Sequence, residues 1–191
     1  MFYVCAAPLN RLFPGSLPMG ARNTMPRPDF WVFVGSLPGR LGVTLETLPE
    51  PISIDIALST GGGTGVVTAG NSLLGRDSQR SLRGEDAARL RSLGRDLSPE
   101  ATGAVDFLET AEIVARLDRI ITVDTAMAHL AGSMGKPTSV LIQAEQADWR
   151  WLRDRTDSPW YPSVRLYRQA KMGDWRPVLE EVAGGDERHA R

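Results

Sequence analysis

The 191-residue chain is 42% hydrophobic and 24% charged, with a formal net charge of -1. That is the composition of an ordinary folded domain, and it excludes the strongly basic footprint of a nucleic-acid binder. A single cysteine, Cys5, excludes an internal disulfide framework and a cysteine-based metal cluster, and no apolar run approaches the ~20 residues of a membrane span. With no signal-peptide pattern at the N-terminus, a cytoplasmic location is the expectation.

In chain order, Phe2–Ala6 reads as a short strand and Pro8–Pro28, rich in proline, glycine and arginine, as loop. Phe30–Val34 reads as a strand ended by Gly35-Ser36. Leu37–Pro51 reads as loop with a short helix, and Ile52–Leu58, with alternating isoleucines, as a further strand. Ser59-Thr60-Gly61-Gly62-Gly63-Thr64-Gly65 invites comparison with a phosphate loop. Such loops follow a strand and open a helix, whereas this one precedes the strand Val66–Ala69, so a flexible linker is the better reading.

Asp86–Leu93 reads as helix and Arg95–Ala104 as polar connection. Phe107, Leu108, Ala111, Val114 and Leu117 form a helical stripe, with Asp106 as cap and Glu109 as its capping-box partner. Ile120–Val123, a helix from Thr125 to Met134, a stop at Gly135 and the strand Thr138–Ile142 make a βαβ unit. Trp149, Trp151, Trp160 and Trp175 crowd the last third. Packing onto the sheet is the commoner use of such residues, and stacking on a base or sugar the rarer one. Arg150, Arg153, Arg155, Arg165, Arg168 and Lys171 are interspersed with acids and read as a solvated face. The tail from Gly184, with His189, is polar.

The junction at Asp124-Thr125 concentrates the chemistry. A buried strand feeding a helix N-terminus presents free N–H groups and a partial positive charge at the carboxyl edge of a sheet, where open α/β sheets bind ligands. His129 lies one turn on from Thr125, on the same helix face. The same residues also read simply as a capped helix with a partly buried histidine. A dinucleotide-binding domain fails on detail, because no Gly-x-Gly-x-x-Gly follows a strand and opens a helix.

Asp124, Thr125, Ala126, His129, Leu130-Ala131-Gly132 and Gly135-Lys136-Pro137 together resemble the donor-binding motif of GT-B glycosyltransferases of the heptosyltransferase-like group. The closest likeness is to the branch commonly found behind tetratricopeptide repeats. It continues through Asp148-Trp149-Arg150-Trp151-Leu152, Ser158-Pro159-Trp160-Tyr161-Pro162, Arg165–Gln169 and Gly173-Asp174-Trp175. Upstream it is carried by Val67–Asn71, Ser36–Gly39 and Thr44–Pro49. The resemblance implies an α/β fold: a Rossmann-like parallel sheet of a GT-B donor domain over residues 61–191, and part of an acceptor-side α/β domain over residues 1–60. It also implies that the family's opening strand and glycine-rich loop, with the base they supply, are missing ahead of Met1. After Asn71 one strand–helix unit is missing as well.

The resemblance further implies binding of a nucleoside-diphosphate sugar and inverting, metal-independent transfer of the sugar to an acceptor hydroxyl. The leaving diphosphate would lie on the amides of Thr125, Ala126 and Met127. Asp124 would accept from donor-sugar hydroxyls, and His129 would support the phosphates. Gly70 and Asn71 would allow close approach to the backbone, and Arg80 is a phosphate contact by position. No cofactor, metal, nucleic acid or membrane span is expected. The catalytic base is unassigned, Asp55 being a weak candidate, and the acceptor could be a saccharide, a lipid-linked saccharide or a protein. The alternative is a non-catalytic remnant that keeps the fold and the nucleotide pocket.

Overall fold

The computed structural model describes residues 3–5, 16–18, 29–30, 32–51, 54, 56–71 and 77–185. Two short strands, β1 (Tyr3–Cys5) and β2 (Ser16–Pro18), pair in parallel. β2 thus lies inside the stretch read as loop. A one-turn helix α1 (Leu37–Arg40) follows.

The main body is a five-stranded, all-parallel sheet built from β3 (Thr64–Val67), β4 (Arg95–Asp96), β5 (Arg119–Val123), β6 (Thr138–Ile142) and β7 (Val164–Arg168). The spatial order is β4-β3-β5-β6-β7, which is 2-1-3-4-5 in chain order, one of the two common doubly wound arrangements. Val67 pairs with Thr122, Val123 with Leu141, and Ile142 with Arg168. The chain therefore has the expected mixed α/β, Rossmann-like fold. β4 falls within the segment read as polar connection, with α2 (Asp77–Arg80) before it and α4 (Pro99–Thr102) after it.

Helices cover both faces, as parallel strands require. Ile121, Val123, Val66, Leu141 and Tyr167 pack with Leu90 of α3 (Gly84–Arg91) and with Leu179 and Val182 of α7 (Arg176–Gly184). Ile120, on the opposite pleat, packs with Val114 of α5 (Phe107–Ala115) and with Leu130 and Met134 around α6 (Ala126–Ser133). Val140 and Ile142 meet Ala128 and Trp151 on that same side. All of β6 is buried, and each fully buried aliphatic side chain contributes about 1.5–3 kcal/mol.

The helix signals take the expected form locally. Asp106 Oδ1 accepts from the amides of Leu108 (2.8 Å) and Glu109 (2.9 Å), while Glu109 reaches back to the amide of Val105, one residue earlier than a capping box would place it. α6 ends with Gly135 at φ +70°, its amide donating to Gly132 O, and Lys136 N donating to Ala131 O. Together these make a complete Schellman motif.

Three expectations are corrected. Phe30–Val34 shows no strand among its described residues. Val34–Ser36 is a 3-10 turn, Phe30 and Phe33 are 92% and 72% exposed, and Trp31 lies outside the described residues. Aromatic and β-branched residues favour strands by packing on a pleated, half-buried surface, and no described strand lies beside this segment. Ile52–Leu58 shows no strand among its described residues. Ile54 and Ile56 instead pack against the α5 side of the core, and the Ile56 amide turns back to Ile54 O at 2.8 Å, which takes it out of any ladder. Ile52, Ser53 and Asp55 lie outside the described residues.

The glycine run is a docked loop rather than a flexible linker. Gly61 and Gly63 donate to the two oxygens of Asp118 at 2.6 and 2.8 Å, and a Cβ on Gly62 would lie 2.0 Å from Arg116 O. These amides hold the Asp118 carboxyl below the usual carboxylate range.

Candidate functional site at the sheet switch point

β3 and β5 are neighbours, but the chain leaves β3 toward β4 on one side and leaves β5 toward β6 on the other. Doubly wound sheets bind ligands in the crevice outside the carboxyl ends of the strands at such a reversal. Here a cavity of about 590 Å³ opens at that point, within the size range of small-molecule sites. Arg80, Asp124, Thr125, Ala126 and His129 line it, opposite a wall formed by Gln143 and the 146–149 segment. The fold thus brings five sequence-predicted residues together. Met127, Gly70 and Asn71 do not line the cavity.

Each placement has a local cause. Thr125 is the N-cap of α6, and its hydroxyl accepts from Met127 N at 3.3 Å. The Met127 amide is therefore already committed to the cap, and its side chain enters the α5–α6 core. Gly70 is constrained by protein rather than open to a ligand: a Cβ there would meet Arg80 Nη2 at 2.5 Å and Asp77 Oδ1 at 2.7 Å. Its amide donates to Ser81 Oγ (3.0 Å), which donates to Asp77 Oδ1 (2.8 Å). Arg80 Nε meets that same oxygen at 3.3 Å, and Arg80 Nη1 donates to Asp124 O at 3.0 Å. The guanidinium is thereby held across the crevice between the ends of β3 and β5. Asn71 is exposed.

Asp124 is only 6% exposed. Its Oδ1 accepts from Trp151 Nε1 at 2.7 Å, and its Oδ2 accepts from Asp148 N at 3.3 Å. A carboxylate has about four lone-pair sites, and these two bonds fill half of them. His129 stacks on Trp151, with ring centroids 4.9 Å apart and planes 10° from parallel. Its Nδ1 lies 3.2 Å from the Tyr161 hydroxyl. Burial, reinforced by the charge of Arg150, pushes the His129 pKa down, so the imidazole is neutral at pH 7. Burial pushes the Tyr161 hydroxyl up. Tyr161 approaches α6 this closely only because residue 132 is glycine: a Cβ there would lie 2.6 Å from the ring.

The sequence reading did not give Trp151, Tyr161 or the 143–149 wall a place in the site. Trp151 and Trp175 are buried, in line with packing onto the sheet, whereas Trp149 is 58% exposed on the cavity wall. The available signal was position, since residues 143–149 directly follow β6 at the ligand-binding edge of the sheet. Among the described residues, no group of three or more His, Cys, Asp or Glu comes together as a metal site, and no helix is long and apolar enough to cross a membrane. His189 lies outside the described residues.

No family model and no solved structure matches the chain. The chain is similar to Protein FlbA of Caulobacter vibrioides, with 35% identity over 79 residues, which take in 41% of this chain and 13% of that protein. The match thus spans a small part of that relative.

Proposed function

We propose that this chain binds a nucleoside-diphosphate sugar at the switch-point cavity, as the donor-binding part of a GT-B-like glycosyltransferase that passes the sugar to an acceptor hydroxyl. The observation that carries the reading is the meeting of Arg80, Asp124, the Thr125-capped end of α6 and His129 around one cavity at the reversal of strand order. A diphosphate there has the Arg80 guanidinium and the partial positive charge of the helix end to balance it as it leaves. Asp124, fixed by Trp151, offers its free lone pairs to sugar hydroxyls.

The test is a thermal melt and calorimetric titration against UDP, ADP and GDP and their sugar conjugates. Ligand at a hundred times its dissociation constant adds about 2.7 kcal/mol to stability, a shift that a melt resolves. Asp124→Asn should weaken the sugar conjugate more than the bare nucleoside diphosphate, whereas equal losses would remove the sugar-hydroxyl role. Binding without transfer to any saccharide, lipid-linked or protein acceptor would favour the non-catalytic reading. A cooperative melt that no nucleotide moves would overturn the proposal.

A further inference from the structure

His129, Gly132 and Ser133 share one face of α6, and Tyr161 lies across all three. The absence of a side chain at residue 132 admits the phenol ring, whose hydroxyl reaches His129 Nδ1 at 3.2 Å. Ser133 hydrogen-bonds that same hydroxyl. Trp151, fully buried, stacks on the imidazole within 10° of parallel and so fixes its plane. The imidazole is therefore held by one face and by one nitrogen. Nε2, the other nitrogen, has no hydrogen-bond partner among the described residues, and His129 lines the switch-point cavity.

The direction of the Tyr161–His129 bond decides what that nitrogen offers. A phenol is the stronger acid of the pair and an uncharged imidazole nitrogen the stronger base, so the shared proton stays on the tyrosine oxygen and points at Nδ1. Burial pushes the Tyr161 pKa up, against the hydrogen bond from Ser133, so the phenol keeps that proton at neutral pH. In an uncharged imidazole one nitrogen donates and the other accepts, and the bond made at one fixes the role of the other. With Nδ1 accepting, the ring proton sits on Nε2. We propose that Tyr161, backed by Ser133, is a positioning residue that holds His129 in the Nε2–H form, so that His129 donates a hydrogen bond to a diphosphate oxygen in the switch-point cavity. An imidazole held in this way has no free lone pair, so the base that takes the proton of an acceptor hydroxyl is a different group. The diphosphate rests on the nucleotide reading above, whereas the tautomer is a property of the ligand-free chain.

The experiment is two-bond 15N–1H correlation spectroscopy of the full chain, 15N-labelled at histidine and free of nucleotide, at about pH 8, above the ordinary histidine pKa. The chain has two histidines, and His189→Gln assigns the signals of His129. A proton on Nε2 and a bare Nδ1 are expected. Tyr161→Phe keeps the ring beside Gly132 and should let the Nδ1–H form appear. It should also weaken whichever of UDP, ADP and GDP binds by about two- to tenfold, the net value of one hydrogen bond. In a His129→Gln background, where the side chain carries its own amide donor, the same Tyr161→Phe change should have no further effect. A proton on Nδ1 in the parent chain overturns the proposal. Equal affinity losses from Tyr161→Phe in both backgrounds overturn it as well, because they mark a purely structural tyrosine. The expected spectrum from a chain that binds none of the nucleotides would uphold the tautomer and sink the donor-site reading alone.

Discussion

Trp151 has its indole nitrogen 2.7 Å from Asp124 Oδ1 and its ring face against His129. Trp151→Phe keeps an aromatic ring under the imidazole but leaves a buried carboxylate oxygen unmatched, which costs about 1–3 kcal/mol. Chemical denaturation of the variant should show a loss in that range, and an unchanged midpoint would mean that water replaces the indole. His129 adds a pH dependence. Its folded pKa lies below that of the unfolded chain, so the unfolded state takes up the proton first as pH falls. Stability is therefore full above the ordinary histidine value of about 6.5 and declines as pH drops from there toward the lowered folded value. A series of melts between pH 8 and about pH 5 should show a steeper decline for the parent chain than for His129→Gln, and parallel curves would contradict the assignment. The sequence places His129 on the Thr125 face of α6, but its neutrality comes from Trp151 and Tyr161, which lie far along the chain.

At the scale of elements, the cap of α5 and the stop of α6 are local devices with local costs. Asp106→Ala removes the acceptor of two amides and should cost about 0.5–2 kcal/mol by denaturant titration. Gly135→Ala forces a Cβ into φ +70° and should cost about 1–2 kcal/mol. The βαβ unit from β5 to β6 was legible because its signals are contiguous: an apolar run, a capping threonine, helix formers, then Gly-Lys-Pro. Phe30–Val34 and Ile52–Leu58 carried equally good strand patterns. A pattern names a face to be buried but not the partner that buries it. Ile54 found its partner in the α5 core, whereas Phe30 and Phe33 stand 92% and 72% exposed.

At the scale of the whole molecule, the glycine loop is tied to the amino-terminal edge of the sheet. Asp118 takes the Gly61 and Gly63 amides. Lys136, buried and part of the Gly-Lys-Pro motif, donates to Ser59 O at 3.0 Å and to Leu117 O. Asp118→Ala should therefore speed hydrogen exchange of the Gly61 and Gly63 amides while exchange in β5 and β6 stays slow. Acceleration of both alike would mean that the loop opens only with the sheet. The sequence by itself determined the βαβ core, the α/β class, and the junction where Asp124, Thr125 and His129 meet, because strand burial, capping and helical periodicity are written in neighbouring residues. Only the tertiary structure decided the rest: the reversal of strand order that sets Arg80 against Asp124, the indole that orients that carboxylate, and the Tyr161 hydroxyl that meets His129. These depend on contacts between residues tens of positions apart, and the chain brings such residues together only when the sheet closes.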